Sequence, residues 1–195
     1  MTNTSNTHAR TGATGPSRAD TNEDKFLTFR LGREEYGVEI LRVREIIGLI
    51  DITPLPRTPD YVKGVINLRG KIIPVIELRT KFGLPPVAYT EATCVIVMDV
   101  EDLESAEQLQ MGVIVDTVSE VMDIREDLIE PAPRFGSAAS AESIMGMGKV
   151  ETGDTTKVVI LLNIDRVLSG ADSKSIQADA DTPVPSQNPE SRSAA

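Results

Sequence analysis

Few side chains in this chain of 195 residues could carry out catalysis, and they are scattered. The chain has one histidine, His8, and one cysteine, Cys94. His8 lies in a polar N-terminal stretch, so a Ser-His or Cys-His pair cannot form in a folded core. Cys94 begins an aliphatic run, which favours a buried structural thiol over a nucleophile. The acidic residues between 99 and 107 are typical of a solvated loop. We therefore predict a protein that is not an enzyme.

The sequence also lacks the patterns that hold cofactors. A single cysteine excludes a cysteine-cluster metal site. No P-loop or dinucleotide glycine pattern occurs, and the Gly-Met-Gly of 146–148 is too short to indicate phosphate binding. There is no tryptophan and no aromatic cluster for a stacked ligand. We expect no metal and no cofactor, although spacing alone does not exclude a paired-carboxylate enzyme or a small-ligand site.

Two charged residues, Glu45 and Arg69, stand among aliphatic neighbours. Arg69-Gly70 is the only polar break between the apolar runs 64–68 and 71–78, and two residues with glycine second predict a hairpin loop. Arg69 would then lie at the tip, as a contact residue or as a solvated turn residue. Glu45 and Arg69 could pair with each other or face a partner. A binding module is therefore the favoured class.

Composition limits the folded part to residues 25–168. Residues 1–24 and 169–195 are rich in small and polar residues, which predicts disordered tails. No signal-peptide core and no membrane-length apolar run occurs, and a lone cysteine fits a reducing compartment. We expect a soluble cytoplasmic protein.

The charge is unevenly distributed along the chain. The net charge is −10, which argues against nucleic-acid binding. Residues 25–90 carry 11 Lys and Arg against 7 Asp and Glu, whereas residues 91–168 carry 5 against 16. The two halves could face different partners or attract each other, or the uneven surface charge could have no functional meaning.

Short apolar runs separated by turn signals predict an all-β chain. Thr58-Pro59-Asp60 resembles a helix start, and residues 78–82 a short helix closed by Gly83. Residues 43–47 could be one helical turn or an extended segment. The other expected strands and extended segments are 26–31, 36–40, 52–56, 93–100, 111–115, 129–133, 144–150 and 157–164.

The two halves of the folded part resemble each other. Residues 37–46 align with 112–121 at a constant offset of 75, with four identical positions and two further aliphatic ones, and 52–56 pair with 129–133 at an offset of 77. Residues 71–78 resemble 157–164. Such a repeat predicts two similar all-β units of roughly 70 residues. Because each unit would be marginal alone, we expect an apolar zone between them and a groove suited to a ligand or partner.

Several motifs resemble the CheW family of chemotaxis coupling proteins, and the resemblance covers about residues 25 to 168. The clearest motifs are Glu35-Tyr36-Gly37-Val38, Val43-Arg44-Glu45-Ile46-Ile47, the run from Pro59 to Gly70, and the run from Ile73 to Arg79. The resemblance implies two five-stranded SH3-like barrels packed together, residues 25–90 and 91–168, with terminal strands able to cross over. It also implies no catalysis.

The same resemblance implies an adaptor that joins methyl-accepting chemoreceptors to the regulatory domain of the histidine kinase CheA. The receptor-binding residues carried over are Val43, Glu45, Ile46 and Arg69. By position, the kinase-binding surface would involve the hairpin around Met145, Met147 and Lys157. The protein would be cytoplasmic and recruited to membrane-associated receptor arrays, without inserting into the membrane.

Three alternatives remain at this level. The chain could be a coupling protein of a non-motility chemosensory pathway. It could be a fragment of a related protein such as CheV or CheA, although its short polar C-terminal stretch supplies no receiver domain. It could also be a small-ligand-binding barrel.

Overall fold

The computed structural model describes residues 22–103, 106–132, 143–152 and 155–168. The predicted tails lie outside these ranges, except that Asn22–Asp24 form a 3-10 turn whose Asp24 carbonyl accepts a hydrogen bond from the Ile124 N–H at 2.8 Å. No helix in the described ranges is long and apolar enough to cross a membrane. The strands are β1 (Lys25–Leu31), β2 (Glu34–Glu39), β3 (Val43–Gly48), β4 (Val62–Leu68), β5 (Lys71–Glu77), β6 (Cys94–Glu101), β7 (Gln108–Val115), β8 (Thr117–Asp123), β9 (Ile129–Glu130), β10 (Ile144–Thr152) and β11 (Thr155–Leu162).

The strands form two sheets, which confirms the predicted all-β fold class. Sheet I has five strands in the order β3-β6-β7-β5-β4. Sheet II has six, in the order β8-β1-β2-β11-β10-β9. The sixth strand, β9, is only two residues long, and it departs from the expected five. Two short helices, α1 (Leu78–Lys81) and α2 (Ile164–Leu168), follow β5 and β11 at equivalent places in the repeat.

Sheet membership differs from a division of the chain at residue 90. Each half begins with a hairpin, β1–β2 or β6–β7, and each hairpin pairs with strands of the other half. Each hairpin makes one antiparallel pairing with the other half, β1 with β8 and β6 with β3, and one parallel pairing. In the parallel junctions, β2 runs beside β11, with Gly37 opposite Leu161, and β7 runs beside β5, with Gly112 opposite Val75. Residue 90 therefore falls between two strands of sheet I, and each sheet contains strands from both halves of the chain.

The internal repeat has a direct structural counterpart. Gly37 and Gly112, which are aligned in the repeat, lie at the two parallel junctions. A Cβ at Gly37 would lie 2.9 Å from the Leu161 Cδ2, and one at Gly112 would lie 2.9 Å from the Val95 Cγ1. A side chain at either position would therefore force a neighbouring side chain to move.

Three apolar clusters hold the fold together. One lies inside sheet I and draws on all five strands, with Ile66, Val75 and Val97 fully buried and Ile47 packed at its edge. A second lies inside sheet II, and a third, the shared core, joins the two sheets through side chains such as Phe29. A sheet whose strands all contribute to one enclosed cluster must curl, as the SH3-like class requires. The shared core is the apolar zone that the repeat predicts.

Three local expectations need correction or completion. Residues 43–48 are a strand, not a helical turn. Residues 58–60 start no helix: the Val62 N–H donates to the Pro59 carbonyl at 2.9 Å in a single turn, and β4 begins at once. Proline in that context also suits a turn, which explains the ambiguity. Strand β8, at the edge of sheet II, was not predicted, because its mostly exposed residues show no apolar alternation.

Candidate functional site

The loop that carries Arg69 is a two-residue hairpin turn. Leu68 pairs with Lys71, so only Arg69 and Gly70 form the loop, with φ of 54° and 86°. Positive φ at both central residues is the type I′ pattern, which normally selects Asn-Gly. The Asn67 side-chain oxygen accepts a hydrogen bond from the Gly70 N–H at 2.9 Å and supports the turn. An arginine here occupies a backbone conformation that costs roughly 1–2 kcal/mol for most L-residues.

Arg69 pairs with Glu45 across the edges of sheet I. Its Nη2 lies 2.9 Å from the Glu45 Oε2, with the arginine side chain 81% exposed and the glutamate 27% exposed. Glu45 lies on β3, at one edge of the sheet, and Arg69 follows β4, at the other edge. The two charges predicted from sequence are therefore brought together. An ion pair this exposed contributes little to folding, about 0.2–1 kcal/mol.

The apolar residues carried over from the family lie on the same strand. Val43 is half-buried against the shared core, and Ile46 is 44% exposed. A β-bulge between Val43 and Glu45 interrupts the register with β6. The exposed Leu41, which sequence reasoning did not single out, lies two residues before Val43. Val43 and Ile46 therefore lie on the strand that carries Glu45, at the edge of sheet I that Arg69 reaches, and the group Val43, Glu45, Ile46 and Arg69 is called here the β3 surface.

The second predicted group is less compact. Met145 is exposed and Met147 half-buried on β10, while Lys157 lies on β11. Lys157 pairs with Val150, five positions along β10 from Met145, which corresponds to about 17 Å. Met145 and Lys157 therefore lie toward opposite ends of the hairpin. The sequence also missed that Lys157 binds the buried Glu35, at 2.8 Å from Nζ to Oε2.

Two polar networks fix the connection between the halves, and neither was predicted. The Glu77 carboxylate accepts hydrogen bonds from the Tyr89 hydroxyl at 2.8 Å and from Thr80, and it lies 2.9 Å from the Lys63 Nζ. Burial favours the neutral form of Glu77, but the hydrogen bonds from Thr80, Lys63 and Tyr89 outweigh it and lower the pKa. Burial, followed by the hydrogen bond to Glu77 and then by the Glu77 charge, raises the pKa of Tyr89.

The second network centres on the buried Arg79 of α1. Its guanidinium donates to the Pro85 carbonyl, at 2.8 Å from Nη2, and to the Asp116 carboxylate at 2.5 Å. Asp116 also accepts the Gly32 N–H at 2.7 Å. This cluster joins the inter-half connection, the β1–β2 turn and the β7–β8 junction, so it supports architecture rather than chemistry.

Cys94 and the acidic side chains, which the sequence offered as possible reactive groups, do not form a reactive site in the described ranges. Cys94 is half-buried, and burial raises the pKa of its thiol, which disfavours the nucleophilic thiolate. Within the described ranges, no three His, Cys, Asp or Glu side chains group as a metal site.

A cleft of about 470 Å³ opens beside α1 and β11 and is lined mainly by aromatic and aliphatic side chains, including Tyr61, Phe82 and Leu162.

The geometry defines a class of protein: two interlocked β-sheets whose exposed strand edge presents a charge pair and aliphatic residues, as a protein-binding module does. A family model for the CheW-like domain matches residues 25–172. The chain therefore belongs to the CheW family.

Individual relatives agree with this family assignment. The chain is 42% identical over 145 residues to a chemotaxis protein CheW of Klebsiella aerogenes, covering 74% of this chain and 81% of the relative. It is 33% identical over 159 residues to a chemotaxis protein CheW of Treponema pallidum, covering 76% and 85%. The crystal structure of the scaffolding protein TtCheW from Thermoanaerobacter tengcongensis superposes with a TM-score of 0.66 at 30% identity, covering 80% of this chain and 94% of that one.

Proposed function

We propose that this chain is a non-catalytic chemotaxis adaptor that couples methyl-accepting chemoreceptors to the histidine kinase CheA. Family membership supports the adaptor role, and the β3 surface supports a receptor contact. The single observation that carries the receptor contact is the Arg69–Glu45 pair, held on a turn whose backbone disfavours arginine. The fold gains little from that pair, so binding is the better explanation for an arginine at this position.

The receptor's helical tip would dock on the β3 surface. Ile46 and the half-buried Val43 provide apolar contact. The exposed Arg69 guanidinium has five N–H donors, and Glu45 contacts it through the Nη2 nitrogen. Arginine is one of the residue types that contribute most to binding energy at many interfaces. The regulatory domain of the kinase would occupy a separate surface, the β10–β11 hairpin with Met145, Met147 and Lys157. The adaptor would act in the cytoplasm at the receptor arrays.

A pull-down with purified components tests the adaptor role. The unmodified chain should retain both a receptor signalling tip and the kinase regulatory domain. Glu45→Arg should lower the affinity for the receptor tip by about tenfold or more, because it places two cations together on the β3 surface. Its affinity for the kinase domain should not change. The exchanged pair Glu45→Arg with Arg69→Glu should recover part of the affinity if the internal pair matters. Retention of neither partner by the unmodified chain would refute the adaptor role.

A coupling role in a non-motility chemosensory pathway uses the same two surfaces. The motility role and the non-motility role are therefore distinguished by the cellular response that the kinase controls, not by the structure of the adaptor. Deleting the gene in its host should abolish chemotactic swimming if the array controls motility. Unchanged swimming with loss of another kinase-dependent output would favour the non-motility pathway.

A further inference from the structure

The buried Glu35 of β2 is the starting point. Its side chain is 4% exposed, and the described residues provide a partner for one of its two carboxylate oxygens. Oε2 lies 2.8 Å from the Lys157 Nζ, while Oε1 is buried and has no hydrogen-bond partner among the described residues. An unpaired buried carboxylate oxygen costs stability. Such a cost calls for a reason beyond packing.

The other half of the chain shows that the fold does not need a carboxylate at this position. In the repeat, Gln110 is the counterpart of Glu35, and Lys71 is the counterpart of Lys157. The Gln110 amide uses both ends: its oxygen accepts from the Lys71 Nζ at 3.4 Å, and its nitrogen donates to the Asp99 carboxylate at 3.3 Å. A neutral, satisfied side chain therefore fills the equivalent site of sheet I. Sheet II instead keeps a negative charge directly beneath a lysine.

The Lys157 ammonium contacts Glu35 on its buried side, and part of the lysine side chain is exposed to solvent. Its side chain is 41% exposed, and its ammonium has three donors, of which the Glu35 contact uses one. The exposed Arg30 lies opposite Glu35 on β1. The surface around Lys157 is therefore cationic, and it is complementary to a carboxylate.

We infer that Glu35 is a positioning residue, which fixes the Lys157 ammonium for contact with an acidic side chain of the kinase regulatory domain. The inference rests on the proposed function, because it concerns the hairpin surface assigned there to the kinase. It adds a residue, Glu35, that makes no partner contact itself. It also specifies the chemistry of the partner, a carboxylate opposite Lys157.

The test is a double-mutant cycle read by affinity for the purified kinase regulatory domain. Lys157→Ala should weaken binding by about tenfold, the scale of a lost charge-assisted hydrogen bond. Glu35→Gln should weaken it by about threefold or more, and the double variant should bind no more weakly than Lys157→Ala. Lys149→Ala is the matched control, because Lys149 lies on the same hairpin but pairs with the exposed Glu130. That control should bind like the unmodified chain.

A spectroscopic readout separates positioning from a merely structural role. The Lys157 ammonium, held by Glu35, should give a slowly exchanging ¹⁵N signal that shifts when the kinase domain is added and disappears in Glu35→Gln. The unmodified chain supplies this shift even if Glu35→Gln fails to fold. No shift on adding the kinase domain would overturn the inference.

The possible failures are distinguishable. If Lys157→Ala weakens binding but a folded Glu35→Gln does not, the positioning role is wrong and the kinase surface stands. If neither variant weakens binding, both the inference and the hairpin surface are wrong. If the unmodified chain does not bind the kinase domain, the proposed function itself fails.

Discussion

Replacing Arg69 by asparagine should separate binding from stability. The residue sits at φ 54° in a type I′ turn, a conformation that costs most L-residues roughly 1–2 kcal/mol and that asparagine tolerates well. The change also removes an ion pair that is 81% exposed on the arginine side and contributes about 0.2–1 kcal/mol. The two effects oppose each other. The free energy of unfolding of Arg69→Asn should therefore stay within about 1 kcal/mol of the unmodified chain or rise slightly.

Arg69→Ala supplies the comparison, because alanine loses the ion pair without relieving the backbone. We expect it to be less stable than Arg69→Asn by about 0.5–1 kcal/mol. Both variants should lose receptor-tip affinity by about tenfold or more, or about 1.4 kcal/mol, because both remove the guanidinium. Urea denaturation followed by circular dichroism gives the stabilities, and titration calorimetry with a receptor tip gives the affinities.

Lys71→Ala is the matched control for charge on the same hairpin. Lys71 is exposed, directly follows the loop, and makes a long 3.4 Å contact to Gln110. It should alter neither stability nor receptor affinity appreciably. Unchanged receptor affinity in Arg69→Asn would refute the contact role. A destabilisation well beyond the range of an exposed ion pair, accompanied by loss of both partners, would instead make Arg69 a structural residue.

Two further predictions concern the architecture. Gly112→Ala should destabilise the fold by about 1–3 kcal/mol, because the new Cβ would meet the Val95 Cγ1 of β6 at 2.9 Å and the Val75 Cγ2 of β5 at 3.3 Å. Gly48→Ala, where nothing lies within 4 Å, should cost under about 1 kcal/mol, and equal urea midpoints for the two variants would contradict the packing argument. Glu77 has a lowered pKa in the folded state, so its ionised form stabilises the fold at pH values above its ordinary value of about 4.5, and this contribution is lost as the pH falls through the lowered pKa. The urea midpoints of the unmodified chain and of Glu77→Gln should therefore become more similar as the pH is lowered from 6 to below 4.5. A constant difference between the two midpoints would show that ionisation of Glu77 is not involved.

Local sequence patterns are informative wherever a single turn or strand decides the outcome. Arg69-Gly70 specifies its hairpin loop because two residues with glycine second fit few other turns. The pairing of Arg69 with Glu45 is only one of the outcomes that the sequence allows, since it depends on two sheet edges meeting after sheet I curls. Residues 43–47 are ambiguous for a definable reason. The bulge between Val43 and Glu45 adds one residue to the strand, so Val43 and Ile46 share a face at a spacing of three, which imitates a helix.

The charge networks are beyond the reach of pattern reasoning. Glu77 and Tyr89 are 12 residues apart, and Arg79 and Asp116 are 37 apart. Their contacts arise only once the connection between the halves folds back on α1. The same applies to Glu35 and Lys157, which come from opposite halves of the chain. A repeat comparison aligns Glu35 with Gln110 but does not reveal which of the two lies beneath a lysine with one oxygen unsatisfied.

The exchange of hairpins between the halves shows most clearly why the sequence leaves the pairing open. Alternating apolar residues determine which face of a strand is buried, but in a repeated chain each hairpin finds equivalent partners in its own half and in the other. The parallel junctions at Gly37 and Gly112 record that the chain adopts the exchanged arrangement in both sheets. Neither half then contains a complete sheet, and the shared core joins the two. The β3 surface and the Glu35–Lys157 site consequently belong to one interlocked framework, in which sheet I depends on strands of the second half and sheet II on strands of the first.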